Sequence, residues 1–233
     1  MKQILSLLSS AALVLLFSSA LISCKKDKMK DTSKVNVVHA SPDAPGVDLL
    51  VDNLKVNTSP LTFPNYTGYL SVTAGSRNIK VNAAGTSTTV INADVPFTKD
   101  KNYSLFAFNR LASISAILVE DNLATPASGK AHIRFFHLSP GAPAVTVGVL
   151  NGDAFTPVFV NRTFESQTTA TANQAFAPVD AGTYKFDVRV AGTTTSVLTL
   201  NNITLQAGKI YTVFANGIVG GTPALGAKII LHN

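Results

Sequence analysis

The chain has 233 residues, of which 46% are hydrophobic and 14% are charged. This hydrophobic content excludes a wholly disordered chain, and the length allows one large domain or two of roughly 100–150 residues. The formal charge is +6, from 19 basic and 13 acidic side chains. A single cysteine excludes an internal disulfide framework and a zinc site built from several cysteines.

Residues 1–23 have the pattern of a secretory signal peptide. Lys2 provides a positive start, residues 3–23 carry no charge, and the apolar run ends in Leu21-Ile22-Ser23-Cys24. That ending resembles the lipobox of bacterial lipoproteins. The resemblance implies cleavage between Ser23 and Cys24, lipidation of Cys24 with diacylglycerol and a fatty-acyl chain such as palmitate, and anchoring to the bacterial outer membrane. The alternative, an uncleaved membrane-spanning anchor, is opposed by five diluting serines and by the lysines that follow.

Most of the positive charge lies next to the predicted lipid. Residues 24–34 carry five lysines against two aspartates, and we predict that they form a polar tether. Residues 35–233 carry 13 basic and 11 acidic groups, without a basic stripe containing aromatic residues. We therefore predict no nucleic-acid partner. The tether sequence leaves the periplasmic and the cell-surface face open.

An internal repeat organises the rest of the chain. Residues 38–45 return as residues 136–143, and residues 101–107 return as residues 209–215, in the same order. The two repeats predict homologous modules at 35–124 and 130–233.

Both modules have the sequence pattern of β-structure. Short runs rich in β-branched and aromatic residues recur about every 8–12 residues between glycine, proline and asparagine. Strands are predicted at 35–39, 47–51, 69–72, 78–82, 88–93, 103–108 and 114–119, and again at 131–137, 144–150, 184–190, 196–200, 211–215 and 227–231. The predicted fold class is all-β, with two tandem antiparallel β-sandwich modules of the immunoglobulin-like kind.

The repeated His-x-Ser-Pro-x-Ala-Pro element resembles a known family. With the Val-Asp-Leu-Leu-Val-Asp run that follows at 47–52, it resembles the domain of unknown function 4397. The resemblance covers nearly all of 35–233 and implies secreted or membrane-anchored bacterial proteins with tandem sandwich modules. It implies no established activity. The second module departs from the pattern, since Asp43 aligns with Gly141.

The two repeated histidines are predicted to be structural. By strand parity, His39 and His137 each share a face with apolar residues, at the edge of a core and beside a proline-rich turn. The two lie a module apart, which disfavours a shared metal or catalytic site, and we predict no catalytic residues, no metal and no cofactor. The spacing of Asp43, Asp48 and Asp52 matches no calcium loop, which favours solvated acids. The predicted structural motif comprises His39, Ser41, Pro42, Pro45, His137, Ser139, Pro140 and Pro143.

The second module contains an insertion of about ten residues at 164–174. Its polar composition predicts a sheet-edge loop or an extra hairpin, and loops on rigid β-scaffolds often bind ligands. A neutral surface insertion is the alternative. The candidate binding residues are Phe164, Glu165, Gln167 and Asn173.

The function predicted from these features is that of a non-enzymatic envelope lipoprotein. It would be anchored to the membrane through lipid and would present its modules to an envelope protein or glycan. One alternative is a passive spacer or assembly component of the envelope. A cryptic hydrolase is a remote alternative, because the sequence has no Gly-x-Ser-x-Gly element and only two glutamates, Glu120 and Glu165.

Overall fold

The computed structural model describes residues 31–233. The predictions of the signal peptide, of cleavage at Ser23 and Cys24, and of tether residues 24–30 lie outside these residues. Within 31–233, no helix combines the length and the apolar character needed to cross a bilayer.

The fold consists of two β-sandwich modules with the same order of strands, as the sequence predicts. Module 1 contains β1 (Thr32–His39), β2 (Val47–Val51), β3 (Leu54–Lys55), β4 (Tyr66–Thr73), β5 (Gly75–Ala83), β6 (Thr89–Phe97), β7 (Asn102–Phe108) and β8 (Ser115–Glu120). Module 2 contains β9 (Lys130–His137), β10 (Val145–Asn151), β11 (Ala154–Arg162), α1 (Gln167–Ala172), β12 (Ala177–Asp180), β13 (Gly182–Val190), β14 (Ser196–Leu205), β15 (Ile210–Asn216) and β16 (Gly226–Leu231). A short 3₁₀ turn, Leu111–Ser113, precedes β8.

The thirteen predicted strands are all present, but several boundaries and elements differ. The first strand begins at Thr32, so residues 32–34 belong to module 1 rather than to the tether, and Ser33 is buried. Strands β3, β11 and β12 were not predicted. The insertion is not a hairpin, because it contains α1.

Each module pairs an inner sheet with an outer sheet. The inner sheets have the orders β4-β1-β7-β8 and β12-β9-β15-β16, and the outer sheets have the orders β3-β2-β5-β6 and β11-β10-β13-β14. The named strands pair antiparallel, except that β1 runs parallel to β7 and β9 runs parallel to β15. Strand β4 passes into β5, and so from the inner to the outer sheet, through Gly75, whose φ of 102° suits a residue without a Cβ.

A third hydrophobic core joins the two modules. Each sandwich encloses its own core, but the other faces of the two inner sheets pack against each other. Phe106 lies at the centre of this contact, with its ring centroid 5.3 Å from that of Phe136 and 5.9 Å from that of Phe214. The four sheets therefore form one stack, in which the central strands of the inner sheets are buried on both faces.

The strands of the two modules are aligned so that corresponding ends meet. Thr32 begins β1 beside Thr73 and close to Asp100, whose backbone N–H donates to the Thr32 carbonyl. At the other end, the Phe164 ring contacts both Phe108 of module 1 and His137 of module 2. The two histidine–proline loops therefore lie at the same end of the stack, opposite Thr32.

We expect Phe106→Ala to lower the free energy of unfolding by about 3–5 kcal/mol, because it leaves a cavity between two fully buried phenylalanines. Urea denaturation at neutral pH measures this loss. Leu54→Ala is the control: Leu54 is 73% exposed, so the change should stay within about 0.5 kcal/mol. Equal effects of the two substitutions would contradict a packed core between the modules.

Candidate functional site at the module junction

A ring of buried polar side chains lies beside the apolar contact between the modules. Arg134 and Asp121 form an ion pair whose side chains are both 0% exposed. Module 1 supplies Tyr69, Ser104 and Asp121, and module 2 supplies Arg134, Thr212 and His232. Each hydrogen bond in the ring either joins the modules or positions a group that does.

Two fixed donors set the directions in the ring, because the Arg134 guanidinium can only donate and the Tyr69 hydroxyl donates to the Asp121 carboxylate. Arg134 Nε donates to Thr212 Oγ1 at 2.8 Å, and the Thr212 hydroxyl donates to His232 Nε2 at 2.7 Å. His232 Nδ1 donates to the Tyr69 hydroxyl at 2.8 Å, which in turn donates to Asp121 Oδ2 at 2.6 Å. Asp121 Oδ1 accepts from Arg134 Nη2 and closes the ring. This arrangement requires a neutral His232 that carries its proton on Nδ1.

Burial controls the protonation of the ring. Loss of solvation lowers the pKa of His232 to about 4, with the Arg134 charge acting in the same direction and the Asp121 charge opposing it. Burial and the nearby Asp121 carboxylate raise the pKa of Tyr69 well above its usual range, so its hydroxyl keeps the proton that it donates. Burial also lowers the pKa of Arg134, and the Asp121 carboxylate opposes that change.

A cleft of about 380 Å³ opens next to this ring. Its volume lies within the usual range for small-molecule sites, which often form between domains. The last residue of β8, the linker, β9 and the segment between α1 and β12 all contribute to its walls. The cleft is lined by Glu120, Asn122, His132, Gln174, Ala175 and Phe176.

Several polar atoms of the cleft have no hydrogen-bond partner among residues 31–233. Glu120 Oε1 accepts from Lys101, and Gln174 Oε1 accepts from the Glu120 backbone N–H. The second oxygen of Glu120, the amide nitrogens of Gln174 and Asn122, and both ring nitrogens of His132 are unengaged within that range. The cleft therefore offers both donors and acceptors to a ligand.

The structure places the two predicted structural histidines outside this cleft, in the module cores. His39 Nε2 lies 2.9 Å from the Pro45 carbonyl, and His137 Nε2 lies 3.0 Å from the Pro143 carbonyl. Burial lowers the pKa of both imidazoles. Each neutral ring thus ties the end of a strand to its own proline-rich loop.

The serines of the motif differ between the modules. In module 2, Ser139 Oγ donates to the Gly217 carbonyl at 2.7 Å, and the Ser139 backbone N–H donates to His137 Nδ1. In module 1, Ser41 Oγ and His39 Nδ1 are buried, and neither has a partner among the described residues. Pro42 and Pro140 are buried beside these serines.

The three aspartates considered for calcium do not converge. Asp43 accepts from the Leu111 backbone N–H near the His39 end of module 1, whereas Asp52 pairs with Arg77 at 3.2 Å. Asp48 is 7% exposed rather than solvated, and it pairs with Lys55 at 2.8 Å. The Lys55 ammonium and the Gly85 backbone N–H hold the pKa of Asp48 below its usual range.

The insertion predicted to be a binding loop clamps module 2 to module 1 through α1, and its last residue, Gln174, lines the cleft. Ser166 caps α1 by accepting from the Thr169 backbone N–H, and Thr169 caps the Ser166 backbone N–H in return. Gln167 then bonds both the N–H and the carbonyl of Leu118 on the edge strand β8.

The other candidate loop residues also lie at or near this contact. Glu165 is 3% exposed and accepts from Thr169 and Asn173, and burial raises its pKa. Phe164 packs between Phe108 and His137. Phe164, Glu165, Gln167 and Asn173 are therefore engaged in contacts within the protein, and none of the four lines the cleft.

Sequence reasoning missed the residues that matter most at the junction. His232, Arg134 and Asp121 belong to no sequence motif. One signal was available: β7 from Tyr103 to Phe108 and β15 from Ile210 to Ala215 consist of apolar residues and one small hydroxyl residue each, which is typical of strands covered on both faces.

Residues 33–148 match the family model described as "Domain of unknown function (DUF4397)". The match covers module 1, the linker and β9, and ends within β10. No curated protein matches the sequence.

Two solved structures illustrate the structural likenesses of the chain. One is CBMbc (family CBM26) from Eubacterium rectale Amy13K in complex with maltoheptaose, at 11% identity and a TM-score of 0.25, covering 84% of this chain and 96% of that chain. The other is a candidate cell adhesion protein from Bacteroides fragilis, at 11% identity and a TM-score of 0.22, covering 87% and 97%. TM-scores this low do not show that this chain shares a function with either protein.

We expect stability to fall below neutral pH because of His232. Its pKa in the folded protein lies below the ordinary value of 6.5, so the unfolded chain binds the proton first, and stability is lost as the pH falls from 6.5 towards about 4. Between pH 7 and pH 5 this group should remove about 2 kcal/mol. Urea unfolding of the unchanged protein and of His232→Asn at both pH values isolates that share, since the other titrating groups are common to both. Identical pH dependence would show that His232 does not titrate as the ring requires.

We expect Asp121→Asn to destabilise the protein by about 3–5 kcal/mol, because it leaves the buried Arg134 charge without its counter-charge. Asp180→Asn is the matched control. Asp180 also pairs with a basic residue, Lys130, but its side chain is 77% exposed, so the loss should be below about 1 kcal/mol. Chemical denaturation at pH 7 compares the two variants, and a small loss for Asp121→Asn would contradict the importance of the ion pair.

Proposed function

We propose that this chain, which carries a domain of the DUF4397 family, is a non-enzymatic lipoprotein of the bacterial outer membrane. Lipid attached to Cys24 would hold it at the membrane, and its two modules would bind an envelope protein or a glycan. The proposal joins the lipobox-like ending of the signal peptide to the geometry of the folded part.

The observation that carries the proposal is the orientation of the stack. The chain enters module 1 at Thr32, and both histidine–proline loops lie at the opposite end. Because the shared core and the polar ring join the modules, an anchor before Thr32 would position both modules together. The junction cleft lies at the Thr32 end, because Glu120 is level with Val35 and His132 lies near the start of β9. An anchored unit of this kind would therefore hold the cleft on the membrane side and the histidine–proline loops on the far side.

Binding is favoured over catalysis by the way in which the titratable groups are used. Three groups with shifted pKa values, Tyr69, Arg134 and His232, belong to the ring and are hydrogen-bonded to its other members. The junction cleft, by contrast, holds unengaged amide, carboxylate and imidazole groups. Such a distribution supports a site that holds a ligand.

We expect cells that produce the full chain to incorporate labelled palmitate into it, and to lose that label in Cys24→Ala, which removes the thiol that accepts the lipid. The control is Ser19→Ala, which changes the signal peptide without touching the thiol and should keep the label. Label retained in Cys24→Ala would disprove the anchoring.

Cross-linking on intact cells tests the binding half of the proposal. A reproducible envelope protein or glycan attached to the unchanged chain is the expected result. Reproducible failure to capture a partner, with lipid labelling intact, would favour a passive spacer instead.

A further inference from the structure

We infer that the junction cleft binds a neutral saccharide. The inference rests on the proposed function, because it names the class of ligand that the proposed binding protein would hold. It concerns the cleft lined by Glu120, Asn122, His132, Gln174, Ala175 and Phe176.

The unengaged groups of the cleft are complementary to hydroxyl groups. Glu120 Oε2 can accept a hydrogen bond, and the amide nitrogens of Asn122 and Gln174 can donate one. The two ring nitrogens of His132 add further hydrogen-bonding positions. A sugar hydroxyl both donates and accepts, so adjacent hydroxyls can satisfy such a mixed set, and the Phe176 ring adds an apolar wall for C–H groups.

The charge of the cleft disfavours an anionic ligand. Glu120 is the carboxylate of the lining, and its neighbour Lys101 balances it at 2.6 Å. The nearby Arg134 charge lies behind the cleft wall and does not reach the cleft surface, because its side chain is 0% exposed and paired with Asp121. The free carboxylate oxygen of Glu120 would therefore repel the negative charge of an acidic sugar or a phosphate. The six lining residues include no lysine or arginine that would attract that charge.

The cleft is preformed, because one guanidinium holds two of its walls. Arg134 Nη1 lies 3.4 Å from the Glu120 carbonyl oxygen and 3.2 Å from the Gln174 carbonyl oxygen. The same guanidinium lies 4.3 Å from the centroid of the Phe176 ring. A site whose walls are already ordered loses less entropy when a ligand binds.

The test is isothermal titration of the full chain in detergent with neutral trisaccharides of glucose and of N-acetylglucosamine, and with matched trisaccharides that carry a uronic acid. Binding of at least one neutral trisaccharide is expected. Asn122→Ala should weaken that binding roughly three- to tenfold, and Glu120→Gln by about tenfold or more.

The control is Leu231→Gln, because Leu231 holds the position on β16 that Glu120 holds on β8 and is 46% exposed. This variant should bind as the unchanged chain does.

Thermal denaturation of each variant separates lost binding from lost folding, and only variants with unchanged melting temperature are compared. The inference is overturned if no neutral trisaccharide binds, if the acidic ones bind more tightly, or if binding is insensitive to both cleft substitutions. A captured protein partner together with any of these outcomes would overturn the saccharide site and leave the proposed function standing. If lipid labelling did not depend on Cys24, only the proposed membrane anchor would be overturned, and the saccharide site would be unaffected.

Discussion

A guanidinium that is removed from water must be matched by a carboxylate and by acceptors for its remaining N–H groups, and here the matching carboxylate comes from the other module. Arg134 belongs to module 2, and Asp121 ends the last strand pair of module 1. Sliding or turning one module against the other would leave both charges buried and unpaired. The ion pair thus selects one arrangement from the many that apolar packing between two flat sheets would tolerate.

The ring uses equivalent positions of the two repeats in different ways. By strand register, Asn36 of module 1 corresponds to Arg134 of module 2, and Ser104 corresponds to Thr212. Tyr69 corresponds in the same way to Phe176. Asp121 and His232 directly follow equivalent strands, β8 and β16. Two copies of module 1 facing each other would bring carboxylates together without a guanidinium. Two copies of module 2 would bring guanidinium groups together without a carboxylate. The differences between the repeats therefore make each inner sheet complementary to the other rather than to itself.

Alternation of apolar residues was enough to predict most of the strands and the sandwich class, because each strand buries one face inside its own module. It could not show what covers the second face of β7 and β15, since an apolar run has the same appearance whether a module, another chain or a ligand lies against it. The ring was invisible for a related reason: Tyr69 and His232 are 163 residues apart, and no local spacing connects them. Helix α1 has no apolar stripe, and its stability depends on the Ser166 cap and on contacts with β8.

The placement of β1 has a mechanical consequence. A pulling force applied to the chain before Thr32 acts along β1, which is bonded to β4 on one side and to β7 on the other. The strand is also covered on both faces from Val35 to His39, so it cannot peel away one residue at a time. Such a force shears many hydrogen bonds at once, and forced unfolding is governed by the rate of crossing that barrier. Strand β1 is therefore built to transmit tension into the stack before it yields.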